Sequence, residues 1–91
     1  MFQVVWGQRA VNDLAEIWMQ GDSALRQAVT QATHNIEQAL RDDPFETSES
    51  REGEDRVIFA PPLGVLFEAD LESKIVRVEH VWRLPPPRRR A

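Results

Sequence analysis

The sequence predicts one α+β domain, with an N-terminal strand, then an antiparallel two-helix hairpin, then a three-stranded antiparallel meander forming one sheet packed on the helices. Two observations predict this fold. Apolar residues recur at every second position, then at helical spacing, then at every second position again. The chain has 91 residues, which allow one core and no second one. We assign residues 1–84 to this domain and residues 85–91 to a Pro/Arg-rich tail.

The first three elements follow from the apolar spacing in the N-terminal half. We expect a strand at residues 2–6 and helices at residues 8–20 and 23–41. Only two or three residues separate the helices, so the pair should form a hairpin with both apolar stripes facing one sheet. Asp22 or Ser23 can cap the second helix by accepting one of its unpaired N–H groups. The apolar residues are Phe2, Val4 and Trp6 in the strand, Ala10, Val11, Leu14, Ile17 and Trp18 in the first helix, and Leu25, Ala28, Val29, Ala32, Ile36, Ala39 and Leu40 in the second.

Three further strands are expected in the C-terminal half. Residues 42–55 hold seven acidic residues and form the predicted connection to the sheet. The strands are expected at about residues 55–60, 64–70 and 75–84. Pro61-Pro62 forces a turn between the first two of them, because proline cannot donate to a strand ladder.

Composition limits the possible functions. The chain contains no Cys, which excludes disulfides and thiolate chemistry and suits a reducing cytoplasm. No apolar run has the length of a membrane span, so we expect a soluble cytoplasmic protein with no membrane partner. The net charge of -4 is divided unequally: residues 1–73 carry 5 Lys/Arg and 14 Asp/Glu, whereas residues 74–91 carry 6 and 1. An anionic partner is therefore expected to meet the C-terminal end.

Two histidines are the available imidazoles. His34 shares a helix face with polar residues and is expected to be a solvated surface residue. His80 alternates in phase with Val76, Val78 and Trp82, which favours a half-buried structural histidine over a general base. Two distant histidines without Cys give no recognised zinc spacing, so no metal or other cofactor is expected.

Arginines of the meander are the candidate anion-binding residues. Alternation places Arg77, Glu79 and Arg83 on one face of the last strand, and Arg56 begins a strand that could neighbour it. Their guanidiniums could converge on a phosphate or carboxylate, or they could lie on a solvated face with weak ion pairs. Trp82 next to these cations could stack on a nucleic-acid base, but its phase with apolar residues is more typical of a core position.

Several segments in this order resemble the RelE/ParE superfamily of type II toxins, which includes ribosome-dependent mRNA interferases and gyrase-inhibiting plasmid-stabilisation toxins. The resemblance extends from about residue 3 to residue 84. Its specificity comes from the order, spacing and total length of the segments together. The segments are Val5-Trp6-Gly7-Gln8-Arg9-Ala10, Asp13-Leu14, Ser50-Arg51, Val65-Leu66-Phe67-Glu68-Ala69-Asp70 and Val76-Arg77-Val78-Glu79-His80-Val81-Trp82-Arg83.

The resemblance implies a toxin whose groove, formed by the sheet and the helical hairpin, is occupied by a cognate antitoxin. The partner-binding residues would then be Arg77, Arg83 and Trp82. The preferred mechanism is inhibitory protein contact, as in the gyrase-directed branch. The alternatives are an endoribonuclease that cleaves mRNA on the ribosome and a non-toxic protein of the same fold.

Only part of the set of catalytic residues expected for the endoribonuclease alternative has a match in this sequence. The resemblance gives His80, Arg83 and Arg56 as its catalytic residues. Gly64 or Val65 stands where that branch would have an arginine, and the chain contains no Tyr. Cleavage needs a group that activates the ribose hydroxyl and cations that hold the developing phosphorane charge, so these departures favour a binding protein over an enzyme.

Overall fold

The computed structural model describes residues 1–46, 48–51 and 53–85 and confirms an α+β fold with two helices packed on one sheet. No helix within these residues has both the length and the apolarity to cross a membrane. All but Pro85 of the predicted tail lies outside the described residues. In chain order the elements are β1 Gln3–Trp6, α1 Gln8–Gln20, α2 Ser23–Asp42, β2 Glu49–Ser50, β3 Asp55–Ala60, β4 Leu63–Asp70 and β5 Ile75–Arg83.

The sheet has five strands in the order β1-β5-β4-β3-β2. As predicted, β3, β4 and β5 pair antiparallel in succession. A three-stranded antiparallel meander is nevertheless wrong as a description of the sheet, because β1 pairs parallel with β5 and β2 adds an antiparallel edge. Strands β1 and β5 can pair in parallel because the chain between them contains all the other elements, whereas a tight turn would make them antiparallel. The two residues of β2 are too few to show an alternating pattern in the sequence.

Backbone contacts set the ends of the helices. The Gly7 N–H donates to Val78 O at 2.9 Å, which fixes the start of α1 against β5. A Cβ at Gly7 would lie 3.0 Å from that oxygen, so a glycine allows this close approach. Asp22 caps α2, because its Oδ1 accepts from Leu25 N at 2.9 Å, as the sequence predicts for one of two candidates.

The core lies between the helices and one face of the sheet. Helix α2 supplies most of the helical side, whereas α1 contributes one fully buried residue. Strands β4 and β5 supply most of the sheet side, and β3 adds Ile58. Burial of these side chains is the main stabilising contribution to the fold. The core residues are Phe2, Ala10, Val29, Ala32, Ile36, Leu40, Ile58, Leu63, Val65, Phe67, Val76, Val78 and Val81.

A β-bulge at Glu79 shifts the phase of β5. Phe67 lies opposite Val78, but the preceding residue Leu66 lies opposite His80, so Glu79 is an extra residue on β5. The sequence-based expectation that His80 and Trp82 share a face with Val78 is therefore wrong. Simple alternation failed because the inserted residue reverses the facing of every later position.

Candidate functional site

The sheet has a face that packs on the helices, here called the helix face, and an opposite face without a covering element among the described residues, here called the outer face. Cross-strand pairing assigns residues to faces, because directly opposed residues point to the same side. The outer face carries Val5 of β1, Glu49 of β2, Asp55, Val57 and Phe59 of β3, Gly64, Leu66, Glu68 and Asp70 of β4, and Ile75, Arg77, Glu79, His80 and Trp82 of β5.

A hydrogen-bonded group connects His80 to the first helix. The Asp13 carboxylate of α1 accepts from His80 Nδ1 at 2.5 Å and from Val81 N at 3.1 Å through the same oxygen. Strand β1 ends opposite Val78, so its ladder does not extend to Val81. Asp13 therefore supplies the acceptor that the edge of β5 lacks at this point and orients the imidazole.

The electrostatics of Asp13 favour its ionised form. Partial burial raises the pKa of Asp13, but the hydrogen bond from Val81, the hydrogen bond and charge of His80, and the charge of Arg9 together outweigh it. The net result is a pKa below the ordinary value for aspartate. A carboxylate on Nδ1 assigns the proton to that nitrogen and leaves Nε2 as the hydrogen-bond acceptor of the neutral ring.

Aromatic side chains cluster beside His80 on the outer face. The His80 and Trp82 rings are 5.4 Å apart between centroids, and Trp82 meets Phe59 edge to face at 6.5 Å. The Trp82 indole covers Gly64, where an added Cβ would lie 2.5 Å from the ring. Phe59 is 45% exposed. The outer face therefore presents an accessible aromatic surface, in which the Trp82 ring packs directly on the backbone of Gly64.

An acidic group lies on the same outer face, toward the other end of β3 and β4. Carboxylate oxygens of Asp55, Glu68 and Glu79 all lie within 4.8 Å of one another. Within the described residues, Oε1 of Glu79 is buried and has no hydrogen-bond partner. These carboxylates are the residues that could hold a cation, although exposed acidic groups commonly approach each other without one.

Arg56 lies on the helix face, because it is opposite the buried Phe67. Its Nε donates to Ser48 Oγ at 2.6 Å, and a terminal nitrogen donates to the carbonyl oxygens of Phe45 and Ser48 at 3.3 Å each. The guanidinium also lies over the Phe45 ring, 5.2 Å from its centroid. These contacts hold the segment between α2 and β2 against strand β3, which contains Arg56.

The structure does not bring the predicted site residues together. Arg77 is opposite Glu68 on the outer face, whereas Arg83 is opposite Leu63 on the helix face. The expectation that both arginines share one face of the strand is wrong, because the bulge lies between them. Trp82 and His80 do lie together on the outer face, but Arg56 faces the other way. His34 is exposed on α2, as predicted.

Sequence reasoning missed Asp13 and Phe59 as parts of this site. A usable signal existed for Asp13, since it follows Ala10 by three positions and precedes Ile17 by four, which places it beside the apolar stripe of the helix. A carboxylate at such a position is expected to have a polar partner. No comparable signal marked Phe59, because its strand alternates imperfectly and carries apolar residues on both faces.

Comparison with known proteins identifies the fold. No protein-family profile matches the chain, and no curated protein sequence matches it. Solved structures match over nearly its whole length. A chain of the chromosomal ParDE toxin–antitoxin system from P. aeruginosa is similar with a TM-score of 0.73 and 17% identity, covering 93% of this chain and 98% of that chain.

An isolated toxin and a chain of a second toxin–antitoxin complex are also similar. The isolated E. coli RelE toxin gives a TM-score of 0.64 and 16% identity, covering 96% of this chain and 88% of that chain. A chain of the RelBE2 toxin–antitoxin complex from Mycobacterium tuberculosis gives a TM-score of 0.64 and 18% identity, with coverages of 90% and 96%. The protein therefore shares its fold with these chains of the ParDE, RelE and RelBE2 structures.

Proposed function

We propose that this protein is the toxin component of a type II toxin–antitoxin system, acts in the cytoplasm, and is neutralised by a cognate antitoxin. The observation that carries this proposal is the similarity over nearly the full chain to the isolated RelE toxin and to chains of toxin–antitoxin systems. Growth after induction, with and without the product of the neighbouring open reading frame, tests it. Arrest relieved by that product is expected, and normal growth in both cases would favour a non-toxic protein of this fold.

Inhibitory contact with a target protein, as in the gyrase-directed branch, is the preferred mechanism. Cleavage of RNA requires cations close to the scissile phosphate. Here Arg77 lies on the outer face and Arg83 on the helix face, while Arg56 is engaged by Phe45 and Ser48. The absence of Tyr from the chain further supports contact over cleavage.

Arg77, Arg83 and Trp82 are proposed to bind the antitoxin. Trp82 and Arg83 lie at the end of β5, whereas Arg77 lies near its start, and the three residues are divided between the two faces of the sheet. A segment that runs along β5 and crosses its end could reach all three. We expect Arg77→Ala and Arg83→Ala each to weaken antitoxin binding several-fold, as is typical of charged interface residues. Arg51→Ala is the matched control, because Arg51 is exposed and lies outside β5. Affinities unchanged in both variants would exclude the basic residues of β5 from the interface.

The second candidate is an mRNA endonuclease that uses His80, Arg83 and Arg56. One observation favours it: Asp13 orients His80 so that Nε2 can accept a proton, which is the arrangement of a general base. Addition of the protein to programmed ribosomes followed by mapping of mRNA 5′ ends distinguishes the two mechanisms. The contact mechanism predicts no new ends. Cleavage that disappears in His80→Ala or Arg83→Ala would establish the endonuclease instead.

A further inference from the structure

We propose that the outer face binds an extended, Lys- or Arg-bearing segment of the target protein. This inference names the contact surface and the target chemistry, and so rests on the proposed function. The supporting observation is an unpartnered sheet face that carries an excess of negative charge, the exposed ring of Phe59 and the partly exposed ring of Trp82.

The outer face is acidic, although β5 belongs to the basic part of the sequence. Its described residues include five carboxylates, those of Glu49, Asp55, Glu68, Asp70 and Glu79, and one guanidinium, that of Arg77. No basic side chain among the described residues comes within 4.0 Å of the three grouped carboxylates. The electrostatic complement of this face is therefore a cation supplied from outside the domain.

The apolar part of the same face favours a polypeptide over a simple ion. Phe59 is 45% exposed and meets Trp82 edge to face, and Leu66 is partly buried between this pair and the acidic group. Aromatic faces attract both apolar side chains and cationic groups. A nucleic acid is disfavoured, because its phosphates would approach the carboxylates.

The spacing of the two regions indicates an extended segment. Gly64, beneath the aromatic rings, and Glu68, in the acidic group, are four positions apart on β4, which corresponds to about 13 Å at the rise of a strand. A segment laid along β4 in an extended conformation would place alternate side chains on the face. An apolar or aromatic residue would meet Phe59 while a Lys or Arg four residues away would meet Glu68.

Binding of a synthetic peptide to the full chain tests this directly. The Arg/Val probe is a blocked peptide of about eight residues with Val at its second and fourth positions, Arg at its sixth and eighth and Ser elsewhere, so that Val and Arg lie four positions apart on one side of the extended backbone. The matched control peptide has Glu in place of both Arg residues. We expect the Arg/Val peptide alone to bind, with an affinity that falls as salt rises, and to shift backbone amide NMR signals of β3, β4 and β5.

Charge-matched variants locate the binding surface. Glu68→Lys should weaken binding by about tenfold or more, and Glu16→Lys on the exposed side of α1 by less than about twofold, although both change net charge equally. Phe59→Ala should weaken binding several-fold. Equal binding of the two peptides, equal loss in the two Lys variants, or no binding of the Arg/Val peptide would overturn the proposal. Circular dichroism confirms that each variant is folded.

A growth assay separates this inference from the proposed function. If the wild-type protein arrests growth, Glu68→Lys and Phe59→Ala should relieve the arrest and Glu16→Lys should not. Arrest by all variants would contradict the assignment of this face and leave the toxin function intact. If the wild-type protein does not arrest growth, the toxin function fails, and the peptide experiment alone decides whether the face binds cationic segments.

Discussion

Asp13 on α1 and His80 on β5 are 67 positions apart in the chain, yet one carboxylate oxygen of Asp13 accepts from His80 Nδ1 and from the backbone of Val81. The contact links the helical hairpin to the outer face at the point where β1 no longer covers the edge of β5. It also sets the orientation of the one imidazole on that face. A change at this pair is therefore expected to affect both stability and the geometry of the candidate site.

Asp13→Ala should destabilise the fold by about 1–3 kcal/mol, because it leaves the Val81 N–H and the His80 ring without their acceptor. Urea denaturation provides the measurement. Glu16→Ala on the same helix is the control, since Glu16 is exposed and bonds only Gln20 in the described structure, so its effect should stay within about 0.5 kcal/mol. Equal effects of the two substitutions would show that the Asp13 contacts contribute nothing specific.

The stability of the protein should depend on the ionisation of Asp13 in acid. Its pKa in the folded state is lowered, so its contribution is fully present above the unfolded-state pKa of about 4 and is lost as the pH falls through the folded-state pKa. Asp13→Asn should therefore show a smaller loss of unfolding free energy between neutral pH and acid than the wild-type protein. Asp70 also has a lowered pKa, but it is present in both proteins and does not affect the difference between them. Identical pH profiles would contradict this account.

The helices and the central strands could be predicted from sequence because their apolar spacing is regular over many residues. The bounds of α1 match the expectation, and those of α2 differ by one residue. The parallel pairing of β1 could not be predicted, because pairing partners are set by long-range packing that no local pattern records. The bulge at Glu79 was likewise hidden, since the residues around it alternate plausibly in either phase. That one residue moved Trp82 and Arg83 to faces opposite those expected.

Gly64→Ala should cost about 1–3 kcal/mol of stability, because the added methyl group would lie 2.5–2.7 Å from three atoms of the Trp82 indole. A double-mutant cycle of Gly64→Ala with Trp82→Ala tests whether the collision with the indole causes this loss of stability. In the Trp82→Ala background the same substitution should cost clearly less, since the colliding ring is gone. A cost that is unchanged in that background would show that the penalty comes from the strand backbone and not from the indole.

Arg56→Lys should lower stability by about 1–2 kcal/mol, because an ammonium group cannot reproduce the guanidinium contacts to Ser48 and Phe45. Thermal unfolding followed by circular dichroism measures the effect. Arg51→Lys serves as the control, because Arg51 is exposed and bonds only the neighbouring Ser50 carbonyl through its side chain in the described structure. An Arg56→Lys variant as stable as the wild-type protein would contradict this structural role of the guanidinium. Arg56 would then be a stronger candidate for a catalytic residue of the endonuclease.

We propose that this protein acts as a toxin through protein contact. Inducing the protein in cells while following growth, plasmid supercoiling and mRNA 5′ ends in the same culture tests it most directly. We expect growth arrest with altered supercoiling and no new mRNA ends. Growth arrest with unchanged supercoiling and new mRNA ends that disappear in the His80→Ala variant would contradict it.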